Sequence, residues 1–293
     1  MNDKTKGILL LLISAFGFAM MAAFVKLAGD VPAVQKTFFR NLVTMVIALG
    51  FVISHKDRLF GKKENQIPLI LRSAFGTFGI ILYFYAIDHL VLSDADMLNK
   101  LSPFLQILFA AIFLKERAKP FQLVSVLIAF VGALFIIKPS FSVETVPYLV
   151  GLLSSVVAAG AYTFLRVLGG REKYYTVVFY FCFFSTVVLL PFVIIFYEPM
   201  TLQQFIYVIL TGVFATVGQF GITMAYTFAP AKDISIFFYS TVLYSTIISI
   251  VLFNQVPDPS SFIGYAVILG ALFYMFMKNR NQTKREKRAF KQT

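Results

Sequence analysis

Asp96 and Lys100 stand four residues apart in the otherwise apolar run LSDADMLNKLSPFLQILFAAIFLKE, Leu92 to Glu116. On a helix that spacing puts a carboxylate and an ammonium on one face, where they pair and lower each other's desolvation cost. Asn99, Pro103 and Gln106 fall on the same stripe, about 120° wide at about 100° per residue. Pro103 also leaves the Asn99 carbonyl without its helical donor, which adds an acceptor beside the pair. The opposite face carries Leu98, Leu101, Leu105, Leu108, Phe109 and Ile112 and suits lipid or helix packing. A charged stripe on an apolar helix faces a wet interior, where it can bind a zwitterionic solute or take up a proton. Asp94 lies off the stripe near the helix start, where the dipole favours a carboxylate, and reads as a cap. A second polar strip runs through Thr37, Arg40, Asn41 and Thr44, with Lys36 near the membrane surface where it can snorkel.

Covalent chemistry has no support in the residues. There is no G-x-x-x-x-G-K-[ST], H-E-x-x-H, C-x-x-C or G-x-S-x-G run. His55 lies in a basic loop and His89 at a helix end, neither near a Ser or Cys nucleophile in sequence. The single cysteine, Cys182, sits inside an apolar run, so a disulfide framework or Cys-based metal site is excluded. The sequence therefore predicts no enzyme, no metal and no cofactor.

The elements that must position these residues follow from the solvent the chain lives in. Hydrophobic residues make up 59%, charged residues 14%, and mean hydropathy is +0.81 over 293 residues. That composition predicts an all-α membrane protein, with about ten spans of roughly 20 to 25 residues and no soluble domain. Runs cut by Pro, Gly and charge place them near 7–28, 33–54, 66–88, 92–114, 120–138, 147–168, 174–197, 203–228, 233–253 and 260–278. The first span has no A-x-A-like site after it and reads as helix one rather than a leader. Putting both termini on one face gives that face 21 of the 26 basic residues, counting Arg72 at the edge of helix three. By the positive-inside tendency that face is cytoplasmic. Most of the net charge of +12 is thus topological, which argues against a nucleic-acid partner, and the basic tail 278–293 reads as an anchor at anionic headgroups. Tyr148, Tyr174, Tyr175, Tyr197 and Tyr207 supply interfacial anchors in a chain without Trp. Glu116 is expected to pair locally with Lys115, Arg117 or Lys119.

An internal repeat adds the second structural clue. RSAFGTFGIILYFYAI (72–87) beside TGVFATVGQFGITMAY (211–226) matches Phe75 with Phe214, Thr77 with Thr216, Gly79 with Gly218 and Ala86 with Ala225. The offset of 139 continues to Asp94 with Asp233, and an offset of 140 pairs FVK (24–26) with FLR (164–166). Two halves of five helices each are inverted, because five is odd, and inverted halves hold a substrate near the midplane of secondary transporters. The offsets set Asp96 opposite Ser235, Lys100 opposite Tyr239 and Arg40 opposite Tyr180. The candidate substrate-binding residues are therefore Arg40, Asp96, Asn99, Lys100, Tyr180, Gln219 and Tyr239, with Tyr83 and Tyr162 as further polar points within spans. A charged wall facing a Tyr-rich one suits a zwitterionic or anionic solute with a flat or apolar portion.

Ten helices in two halves, Arg40 early in helix two, the run YFYAIDHLVLSDADMLNKLSPFLQILFAAIFLKE and the following FVGALFII together resemble the drug/metabolite transporter superfamily, EamA type. The resemblance covers approximately 7–138 and 147–277. Its most specific part is Ala95, Pro103, Glu116 and then Gly132, and the second half departs from it with Val242 and Gln255. The resemblance implies two EamA-type repeats, a central cavity, cytoplasmic termini in the cell membrane, and cargo such as an amino acid or nucleotide-like metabolite. A channel-like or lipid-interacting protein without coupled transport is the alternative reading. A homodimer is compatible with the sequence, although no clear G-x-x-x-G run compels one.

Overall fold

The computed structural model describes residues 2–116, 118–139, 143–169, 171–228 and 234–290. In lipid an apolar run must satisfy its own backbone groups, and an α-helix does so within the segment. The helices are α1 (Asp3–Leu27), α2 (Ala33–Ser54), α3 (Gln66–His89), α4 (Leu92–Asn99), α5 (Ser102–Phe113) and α6 (Pro120–Ile137). They continue as α7 (Val146–Leu168), α8 (Tyr174–Ile195), α9 (Leu202–Phe228), α10 (Ser240–Phe253) and α11 (Pro259–Phe290). Among the described residues, nine helical segments are long and apolar enough to cross a membrane. The tenth crossing is made by α4 and α5 in succession, of 8 and 12 residues.

The expected continuous helix 92–114 is therefore broken between Asn99 and Ser102. Pro103 lies in the first turn of α5, where its missing N–H costs nothing, and its ring excludes a helical turn running through from α4. The chain bridges the break with tight bonds, Leu101 N–H to Leu98 O at 3.1 Å and Phe104 N–H to Leu101 O at 3.0 Å. The second half breaks at the corresponding place without a proline: a 3₁₀ turn, Ser235–Tyr239, precedes α10. Two sequence matches, Asp94 with Asp233 and the suggested pairing of Glu116 with Arg117, involve residues outside those described, as does the side chain of Ser235.

The packing obeys a two-fold exchange. α1 lies on α9 and α3 on α7, while α2 meets α8, α6 meets α11 and α4 meets α10. Swapping each crossing with the one five later maps this set onto itself, and because five is odd the counterparts run in opposite senses. The symmetry reaches single residues. A Cβ on Gly17 would stand 2.8 Å from the Gly218 nitrogen, and one on Gly79 3.5 Å from the Ala158 nitrogen. These are counterpart contacts, α1 on α9 and α7 on α3, and the Ser14 hydroxyl adds a bond to Gly218 O at 2.6 Å. Small residues permit such approaches where lipid supplies no hydrophobic drive between helices. At the α6–α11 contact a Cβ on Gly264 would fall 2.6 Å from Gly132 O. Gly264→Val should accordingly cost about 1–3 kcal/mol, seen as a lower melting temperature in detergent; an unchanged value would mean the two helices tolerate separation.

Polar contacts mark two faces. On the face holding Asp3, Lys6 lies over the Phe228 ring, Asp57 accepts the Tyr175 hydroxyl at 2.5 Å, and Lys119 Nζ donates to Gln282 Oε1 at 2.6 Å. The Tyr175 hydroxyl, helped by the Arg58 N–H, holds the Asp57 carboxyl below the usual carboxylate range. Glu116 reaches across to Arg166 of α7 at 2.9 Å. On the opposite face Gln35 and Glu198 exchange two hydrogen bonds at 2.9 and 3.1 Å, and Lys138 meets Asp258. Lys36 does not snorkel: its side chain is fully buried and pairs with Asp88 at 2.7 Å. Asp94 stands near the helix start as expected. It is buried in the first turn of α4 and accepts the Tyr265 hydroxyl at 2.5 Å, tying α4 to α11.

Candidate functional site

Beside the α4–α5 break the two halves line a cavity of about 110 Å³. The first half contributes Arg40 from α2, Arg72 and Tyr83 from α3, and Asp96, Asn99 and Lys100 around the end of α4. The second half contributes Tyr162, Phe181, Gln219 and Phe238. Breaking the helix here frees its polar end for the cavity; within a membrane, irregular backbone is tolerated where protein buries it or where it lines such a cavity.

Asp96 is the junction of the halves. Its Oδ1 accepts the Tyr83 hydroxyl at 3.1 Å and its Oδ2 accepts the Ser245 hydroxyl of α10 at 2.9 Å. Lys100 Nζ lies 3.8 Å from Oδ1, an ion pair too long for a direct hydrogen bond. The ammonium also sits 4.3 Å from the centre of the Phe238 ring, a cation–π contact strengthened by desolvation. Asn99 is fixed by its amide N–H to Ser154 Oγ at 3.1 Å. Tyr83→Phe should remove one charge-assisted bond and cost about 1.5–3 kcal/mol, read from unfolding in detergent; equal stability would show that Asp96 does not need this donor.

The two guanidiniums are bound differently. Arg40 is 3% exposed and gives Nη1 to Asn41 Oδ1 at 2.5 Å, while the Asn41 amide donates to Ser185 Oγ of α8 at 2.6 Å. Arg72 is 6% exposed and its guanidinium carbon lies 4.0 Å from the Phe181 ring centre. Arg40 Nε and Arg72 Nε and Nη1 are buried without a hydrogen-bond partner, and among the described residues neither side chain has a carboxylate partner. Gly76, one turn after Arg72, makes the room: a Cβ there would stand 2.5 Å from Arg72 Nη1. Three cations and one carboxylate leave the lining with a net positive charge.

Of the residues singled out in the sequence, Arg40, Asp96, Asn99, Lys100 and Gln219 line the cavity. Tyr180 and Tyr239 lie off it. The Tyr180 hydroxyl donates to Gln66 Oε1 at 3.1 Å, and Tyr239 packs against the main core. For Tyr180 the reason is register. α2 and α8 are both 22 residues long and begin at Ala33 and Tyr174, an offset of 141 rather than 140. One residue turns a helix by about 100°, so Phe181 takes the place opposite Arg40, while beside Lys100 it is Phe238 that lines the cavity. The opposite wall presents Phe181 and Phe238 where Tyr180 and Tyr239 are expected, beside Tyr162 and Gln219. Sequence reasoning set Arg72 at the aqueous edge, yet it lies six residues into α3, and the glycine at i+4 was the available signal.

The EamA-like transporter family matches this chain over residues 5–138 and 145–277. Pseudopaline exporter CntI of Pseudomonas aeruginosa is 33% identical over 268 residues, 90% of this chain and 94% of that protein. Human solute carrier family 35 member G1 is 28% identical, with 86% of this chain and 73% of that one covered. A riboflavin transporter of Brucella anthropi is 25% identical over 87% of this chain and 91% of its own length. A solved crystal structure superposes with a TM-score of 0.67 at 18% identity, covering 94% of this chain and 98% of that one, which shows a shared fold.

Proposed function

The chain belongs to the EamA-like transporter family, and on that footing we propose that it is a secondary transporter moving a small organic solute by alternating access between its two halves. The observation that carries the reading is the cavity at the α4–α5 break, walled by both halves and joined across them by Asp96 and Ser245. At about 110 Å³ it is smaller than the roughly 300 Å³ at which ordinary ligand sites begin. Admitting a solute thus requires the halves to move apart on one face, which inverted repeats accomplish by exchanging conformations. Relatives named for pseudopaline export and riboflavin transport support a solute cargo. The basic residues of the Asp3 face support cytoplasmic termini in the cell membrane. Residues 7–138 and 147–277 are the two five-helix units of this reading, which the family matches over 5–138 and 145–277 support.

Counterflow in proteoliposomes tests this. A preloaded solute should accelerate entry of its labelled form, with saturation, because a carrier must return its site across the membrane. Linear flux without acceleration from the far side would instead establish the channel-like alternative.

A further inference from the structure

The unpaired guanidiniums have no part in joining the halves through Asp96, and they call for a ligand. A charge buried at membrane depth is costly unless it is paired or hydrogen-bonded. Lys100 meets this demand with Asp96, and Lys36 with Asp88. Arg40 and Arg72 have no carboxylate partner among the described residues, although each is more than nine-tenths buried. Their surroundings hold them in place all the same: the Asn41 carbonyl oxygen takes one N–H of Arg40, and the Phe181 ring supports the plane of Arg72. Three buried N–H-bearing nitrogens are left without partners, on two side chains that both line the cavity.

We propose that Arg40 and Arg72 form an anion subsite that receives the acidic group of the transported solute, so that the cargo is an organic acid. The proposal rests on the transporter reading and narrows it. A guanidinium offers a planar fork that matches a carboxylate with two parallel hydrogen bonds. Two such forks from α2 and α3 bind an acid best, a neutral amide poorly and an organic cation not at all. The remainder of the solute then lies against Phe181 and Phe238, within reach of the Asp96–Lys100 pair.

The test uses the full-length protein purified in detergent, with melting temperature read against millimolar succinate, glutarate and benzoate, each beside its neutral amide. Choline serves as the cationic control, and sodium chloride against sodium gluconate separates an inorganic anion from an organic one. The acids should raise the melting temperature and their amides should not. Arg72→Gln and Arg40→Gln should each weaken the acid response by about tenfold or more, while Arg72→Lys, which keeps charge and loses the fork, should retain part of it. Acids that act no better than their amides, including no response to either, overturn the proposal, as does a response to chloride alone or an unaltered response in both Gln variants. Saturable counterflow confined to neutral or cationic solutes would also overturn it while leaving the transporter reading intact; absence of any counterflow would instead remove that reading.

Discussion

Asp96→Ala should abolish counterflow and lower stability by about 3–5 kcal/mol, the scale for stripping one partner from a buried ion pair. The carboxylate serves three groups at once: the hydroxyls of Tyr83 and Ser245, and the ammonium of Lys100. Its removal leaves Lys100 buried against the Phe238 ring with no counter-charge, and frees a donor on α3 and another on α10. Because Ser245 belongs to the second half and Asp96 to the first, the loss falls on the contact between halves. Asp96→Asn separates the two contributions. It keeps an acceptor for the hydroxyls and removes the charge, so its stability should fall between the parent and the alanine variant. Chemical denaturation in detergent reads all three, and an alanine variant as stable as the parent would show that the junction contributes nothing.

Arg72→Met should act with the opposite sign on stability. An unpaired buried guanidinium carries a desolvation penalty of several kcal/mol, against about 2 kcal/mol lost with the Phe181 contact. Methionine fills much of the same space beside Gly76 without polar atoms. The unliganded variant should therefore be about 1–3 kcal/mol more stable than the parent, and solute counterflow should fall to background. Stability spent on an unpaired charge is the mark of a binding group. A less stable Arg72→Met protein would assign the arginine to the scaffold and take it out of the site.

These contrasts show where the sequence was informative. Run lengths between charges located the crossings because a bilayer imposes one length on every helix. The internal match through Phe75, Thr77 and Gly79 exposed the two halves because close helix contacts, such as Gly79 on Ala158 and Gly218 on Gly17, recur by symmetry. Depth and register were less legible. Arg72 counted as interfacial because a basic residue six positions into a helix looks the same in sequence whether it snorkels outward or folds along a glycine groove. An offset of 140 points to Tyr180, and apolar helices of similar composition do not distinguish it from 141; around the α4–α5 break the helix starts differ by 138 and the ends by 140, so no single offset carries Lys100 to its partner. At about 100° per residue a one-residue difference exchanges a tyrosine in the cavity for a phenylalanine. The break after Asn99 was announced by Pro103 in the first half, whereas Val242 gave no such notice in the second.

The central claim, that the solute crosses through the cavity between the halves, is tested most directly by chemical access to Asn99. Cys182 is the sole cysteine, so Cys182→Ala with Asn99→Cys carries one thiol, placed in the cavity wall. A membrane-impermeant thiol reagent is applied to either face of oriented vesicles, with and without the solute identified by counterflow. Alternating access predicts modification from both faces, slowed by the solute and ending transport once complete. A thiol unreachable from both faces, or one whose modification the transported solute leaves unslowed, would contradict the account and place the pathway elsewhere.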